Sequence, residues 1–206
     1  MPRSMKLLVL AVLSTLLIIT ACDNSGTSQS QAQQWGHDHA HDHAHDDAHV
    51  KAWTSVTKAI AVLTPTEGNS ARGVITFEKV DGGVRVYGEV SGLNPNQQHA
   101  MHVHEWGDIS SADGTAAGSH YNPEGHDHGL PNGGDRHAGD FGNLQADENG
   151  VAKFDQTFDN ISVADMKNPV IGRALIVHAQ PDDGSQPVGN AGPRIAQAVI
   201  GIAKPN

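Results

Sequence analysis

Beyond Thr57 the chain carries apolar residues at alternate positions, in short runs separated by turn formers. KAIAVLTPT (58–66), GVITFEKV (73–80), VRVYGEV (84–90) and HAMHVHEW (99–106) show it, as do parts of NLQADENGVAKFDQTF (143–158), GRALIVHA (172–179) and RIAQAVIGIA (194–203). A period of two sends successive side chains to opposite faces of a sheet, and none of these runs keeps a helical apolar stripe. Asp81-Gly82-Gly83 is hairpin chemistry, because glycine supplies the left-handed backbone that a tight turn needs; Asn149-Gly150 marks another turn. The pattern predicts an all-β domain, an antiparallel sandwich or barrel of seven or eight strands. Two Gly-rich segments, 107–142 and 180–193, interrupt the rhythm. Loops that long in a compact domain are usually functional.

The N-terminal quarter has no such pattern. Arg3 and Lys6 precede the apolar run Leu7–Ala21, which is too short to span a bilayer comfortably, so residues 1–21 read as a signal peptide. Ile19-Thr20-Ala21-Cys22 resembles the bacterial lipobox, in which the cysteine is lipidated. The expectation is an exported lipoprotein, anchored to a membrane through Cys22 and facing the periplasm or the cell surface. Residues 22–53 are Ser/Gln/Asn-rich and then His/Asp-rich, which predicts a disordered tether with a coil span of roughly 30 Å. The folded domain is then 54–206. Within the tether, HDHAHDHAHDDAH (37–49) packs six histidines and four aspartates into thirteen positions. Having no fixed geometry, His37, His39, His41, His43, His45 and His49 are expected to form an accessory tail that binds metal weakly and multiply.

Composition sharpens this picture in three places. The 23 glycines and 10 prolines suit short strands and many turns. A formal charge of −10 argues against nucleic acid or an anionic membrane surface as partner, and loss of residues 1–21 makes it two units more negative. Cys22 is the only cysteine, so no disulfide can form within the chain. The 14 histidines are the anomaly, since neutral imidazole is the commonest metal ligand.

Outside the tail they cluster. His102 and His104 lie two apart in a strand, so both imidazoles can reach one ion. His120, His126, His128, His137 and Asp140 share the loop GSHYNPEGHDHGLPNGGDRHAGDFGN (118–143), and His178 ends an apolar strand where an unpaired imidazole would be costly to bury. HVHEWGD, HYNP, RHAGDFGN, GRALIVH and GNAGPRIAQAVIGIA together resemble bacterial Cu/Zn superoxide dismutase over about residues 57–203. The resemblance implies an eight-stranded Greek-key barrel that dismutes superoxide with one copper and one zinc per subunit. It places copper on His102, His104, His120 and His178, and zinc on His120, His128, His137 and Asp140, with His120 as the bridge. It makes Asp182 the carboxylate that joins a copper histidine to a zinc histidine, and Arg194 the guanidinium that docks superoxide. His126 falls outside the family spacing and is expected to be solvated. His99 and Trp106 are expected to pack, and Asp183 to be a loop charge.

The chain departs from the family in lacking its disulfide: 109–118 holds no cysteine, and Gln197 stands at the partner position. Metal binding and local hydrogen bonds, Gln197 among them, are expected to hold that subloop. The 180–193 loop is also short and free of lysine. The alternative function is a non-catalytic copper/zinc-binding lipoprotein with a superoxide-dismutase-like domain. Oligomeric state is left open by the sequence.

Overall fold

The computed structural model describes residues 55–204. The expected signal peptide, Cys22 and the His-rich tail lie outside the described residues. Eight strands form the domain: β1 Lys58–Pro65, β2 Arg72–Val80, β3 Gly83–Ser91, β4 Gln98–His104, β5 Asp140–Gln145, β6 Ala152–Phe158, β7 Ala174–His178 and β8 Arg194–Ile202. The one helical turn among the described residues is a 3-10 turn, Thr115–Ala117. All pairs are antiparallel, in the order β5-β4-β7-β8-β1-β2-β3-β6. The edge strands β5 and β6 approach each other, so the sheet curls into a nearly closed barrel. The all-β, eight-stranded expectation holds.

Alternation explains the core. Ala59, Ala61 and Leu63 of β1 and Ile75 and Phe77 of β2 point inward, while Val62 and Val74, cross-strand partners, point out. The β2–β3 hairpin pairs Val80 with Gly83 around Asp81-Gly82, as that turn predicts. Phe141 and Phe158 stack at 4.4 Å and link the two edge strands. The 143–158 segment differs from a simple hairpin. Its Asn149-Gly150 turn joins β5 to β6, which lie at opposite ends of the strand order.

β4 is buried on both faces. Met101 and Val103 enter the barrel core, whereas His102 and His104 face outward yet are at most 1% exposed. The two long loops cover them. The 105–139 loop is sewn to β4 by Tyr121 N–H to Val103 O (2.9 Å) and Val103 N–H to Gly139 O (2.9 Å), and Gly139 N–H to Tyr121 O (2.9 Å) closes the loop on itself. Only glycine allows this closeness, since a Cβ at 139 would lie 2.2 Å from Val103 O. The register shifts beside ligand residues at two places, within β4 between Ala100 and His102 on β4–β5, and at the end of β7 between Val177 and His178 on β7–β8. Such a shift re-aims side chains, and here it does so for His102 opposite Asp140 and for His178 opposite Arg194.

Candidate metal centre

The seven ligand positions singled out in the sequence converge on one side of the barrel. His102, His104, His120 and His178 offer nitrogens within 4.8 Å of one another, as do the donor atoms of His120, His128, His137 and Asp140. His120 belongs to both groups, and all of these side chains are buried.

Hydrogen bonds fix which nitrogen each ring leaves free. His104 Nδ1–H donates to Gly118 O (3.0 Å) and His178 Nδ1–H donates to Gly192 O (3.1 Å). Their Nε2 atoms therefore carry lone pairs, and they face each other at 3.3 Å. Asp182 accepts from His102 Nε2–H on one oxygen (2.8 Å) and from His128 Nε2–H on the other (2.9 Å). That leaves His102 Nδ1 and His128 Nδ1 buried without a hydrogen-bond partner. His120 turns Nδ1 toward Asp140 Oδ1 (3.0 Å) and His137 Nδ1 (3.4 Å), so its Nε2 remains for the other group. Convergent buried lone pairs repel unless something positive sits among them, so the donor set fits a cation in each group.

Titration follows the same division. Burial lowers His102 to about 4 and His178 to about 3, and burial with neighbouring histidines pushes His104 well below its ordinary value. These rings are neutral near pH 7, as ligands must be. Burial also opposes charge on His128, but the flanking Asp140 and Asp182 carboxylates outweigh it and raise this ring to about 9. His128 Nδ1 lies 3.0 Å from Asp140 Oδ2 but out of line for a hydrogen bond. Burial lowers His137, whereas Asp140 and Asp182 are held well below the usual carboxylate range by their histidine partners despite burial.

Arg194, half-buried, lines a pocket of about 350 Å³ with His104, His120, His178 and Val188. Its guanidinium forks onto Gly114 O (2.5 Å) and Gly118 O (2.6 Å). Burial lowers its pKa, partly countered by Asp113, and it stays charged. Gln197 Nε2 donates to Ser111 O (3.2 Å) and reaches Ile109 O (3.5 Å), while Glu67 N–H donates to Ala112 O (2.8 Å). Hydrogen bonds from β8 and the turn after β1 thus hold the 109–118 subloop where the family has its crosslink.

Three supporting residues refine, or escape, the sequence reading. His126 is only partly solvated: its ring donates to Arg136 O (3.2 Å) and its backbone is held by Asn122 (3.0 Å), inside the ligand loop. Trp106 packs, as expected, but at the surface: it lies over Gly118 and is 58% exposed. Asn143 gave no signal in the sequence, yet it grips the Asp182 backbone with two bonds, of 2.9 and 2.7 Å. As expected, His99 is fully buried and structural; it donates to His178 O (3.0 Å) and accepts from Asn94 N–H (3.3 Å). Asp183 is an exposed loop charge bonded to Asn190.

Comparison with known proteins agrees with this geometry. Residues 71–200 match the family model "Copper/zinc superoxide dismutase (SODC)". A curated relative, "Superoxide dismutase [Cu-Zn]" of Paramecium bursaria Chlorella virus 1, is 42% identical over 160 residues, covering 74% of this chain and 83% of the relative. A solved structure described as the clock protein EA4 is 44% identical with a TM-score of 0.65, covering 71% of this chain and 95% of that one. The chain belongs to the copper/zinc superoxide dismutase family.

Proposed function

We propose that the protein dismutes superoxide, two O₂⁻ and two protons giving O₂ and H₂O₂, with copper on His102, His104, His120 and His178 and zinc on His120, His128, His137 and Asp140. One observation carries the assignment of ligands: two donor groups share a single imidazole, one made of four histidines and the other of three with a carboxylate. All-imidazole sites suit Cu(II), and three imidazoles with a carboxylate suit tetrahedral Zn(II). When bound, copper supplies one-electron redox chemistry and zinc a fixed positive charge.

The chain's own residues do the rest. Arg194 presents the charged side chain on the pocket wall and orients the anion. His120 holds and moves a proton at Nε2, its Nδ1 being committed to the Asp140 side. His104 and His178 stay neutral because burial and the neighbouring histidines disfavour their charge, outweighing the bonds to carbonyls that favour it. Asp182 fixes the tautomers of His102 and His128 together. A non-catalytic metal store would need the ligands but not a guanidinium on the pocket wall. The test is superoxide consumption by the full chain loaded with one copper and one zinc; a fully loaded but inactive protein would return the storage reading.

We further propose that the protein is exported and anchored through Cys22, and that His37, His39, His41, His43, His45 and His49 gather metal for the domain. The basic start, apolar run and lipobox-like Ile19–Cys22 support the first; the density of imidazoles supports the second. Cys22→Ser should release the protein from membranes, and retention there would count against the anchor. Deleting 37–49 should slow metal loading under limitation while leaving the loaded enzyme active; equal loading rates reject the supply role.

A further inference from the structure

The 180–193 loop faces two ways. On one side Val188, Ala191 and Gly192 line the pocket that holds Arg194, and Gly192 O accepts from His178. On the other it touches the group proposed for zinc. Gln186 Oε1 accepts from His128 N–H (3.0 Å) and Gln186 Nε2 donates to His128 O (2.8 Å). One side-chain amide thus closes a two-bond ring on a single backbone residue, as a paired β-strand residue would. Beside it, Gly189 seals the His128–Asp182 bond: a Cβ there would lie 2.1 Å from Asp182 Oδ1 and 2.7 Å from His128 Nε2.

We infer that Gln186 is a positioning residue that makes the pocket wall depend on metal at the His120, His128, His137 and Asp140 group. The inference rests on the zinc assignment above. His128 is the hinge of the coupling. Its ring faces the metal group, while its backbone is gripped by the loop that walls the neighbouring pocket. A metal that fixes the ring fixes the backbone, and through Gln186 it fixes residues 185–192. Asn143 ties the start of the same loop at Asp182, and Gln180 N–H to Ala191 O (2.9 Å) and His178 Nδ1–H to Gly192 O (3.1 Å) tie its end, so Gln186 is the side-chain tie from its middle to His128. With its ends held, the middle of the loop, which carries the pocket-lining Val188, depends on Gln186 for its link to His128.

The test compares the full chain with Gln186→Met, which keeps side-chain length and removes both bonds. Asn190→Gly serves as a control: it removes only the exposed bond to Asp183 and suits the positive φ of 51° at that site. Amide hydrogen exchange over 183–192 is followed in copper-only and copper–zinc forms, and zinc release is timed with a chromophoric chelator. In the wild type and in Asn190→Gly, zinc should protect these amides. In Gln186→Met that zinc-dependent protection should vanish, and zinc release should quicken about tenfold, as loss of two hydrogen bonds allows. Zinc-dependent protection equal to the wild type in Gln186→Met would overturn the inference. A wild type that takes up no zinc would instead overturn the ligand assignment.

Discussion

Arg194 has two jobs that substitution can separate. It holds the subloop through two carbonyls, and it puts a positive charge on the pocket wall. A pocket of about 350 Å³ places an anion at its centre about 4–5 Å from the wall, where two unit charges interact by about 4 kcal/mol at an effective dielectric constant near 20. The guanidinium is half-buried, so solvent and salt leave about half of that, roughly 2 kcal/mol. Arg194→Gln should then lower kcat/KM about 30-fold, and Arg194→Glu, which reverses the sign, about 1000-fold. Arg194→Lys keeps the charge but cannot fork, so it should keep most of the activity and lose about 1.5–3 kcal/mol of loop anchoring, seen as a melting drop of roughly 5 °C. The assay is superoxide decay by pulse radiolysis across a range of ionic strength, with copper and zinc measured on each sample. Wild-type kcat/KM in Arg194→Gln at full metal content would refute the docking role. A loss that merely follows copper content would show that the residue is structural.

Other predictions concern the metal-free protein and the missing crosslink. His102 and His178, lowered to about 4 and about 3, are neutral in the fold while the unfolded chain protonates near pH 6.5. The unfolded state therefore binds more protons, and apo stability should fall as pH drops from about 6.5 to 4. His128, raised to about 9, contributes the opposite way: its stabilisation is complete below about 6.5 and is lost as pH rises through 9. Zinc must displace the His128 proton, so uptake at pH 7.5 should release about one proton; calorimetry in two buffers of different ionisation enthalpy would measure it, and zero release would contradict the assignment. Gln197→Leu removes a bond to Ser111 O but also a buried Oε1 that has no partner. The two effects oppose, so the melting change should correspond to less than about 1 kcal/mol. Thiol reductants should leave activity and melting temperature unchanged, and a marked drop would expose an unrecognised crosslink.

The strands were legible because a half-buried sheet writes its period into the sequence. Asp81-Gly82 closed its hairpin as its chemistry requires, and His102 and His104 shared a face because strand geometry leaves no other choice. Strand order was less legible from alternation alone. Nothing local tells the Asn149-Gly150 turn that it joins opposite ends of the order, which long-range pairing decides. The seven donor positions were found through motif spacing, and the structure brings them within reach of one another. The supports around them were invisible for a physical reason. Asn143 and Gln186 act through hydrogen bonds to the backbone of residues 39 and 58 positions away, and amide side chains in loops carry no pattern that marks such a role. His126 escaped because spacing excluded it as a ligand without saying what else would bond to it.

The central claim is that one imidazole joins two different metals. Anomalous scattering at the copper and zinc absorption edges, from crystals of the loaded protein, tests it directly. The account predicts two ions about 6 Å apart, the span of an imidazole with a bond of about 2.0 Å at each nitrogen. Zinc should lie at His120 Nδ1 with Asp140, and copper at His120 Nε2 with His102, His104 and His178. Ions that share no ligand, or an ion bound away from His120, would contradict it.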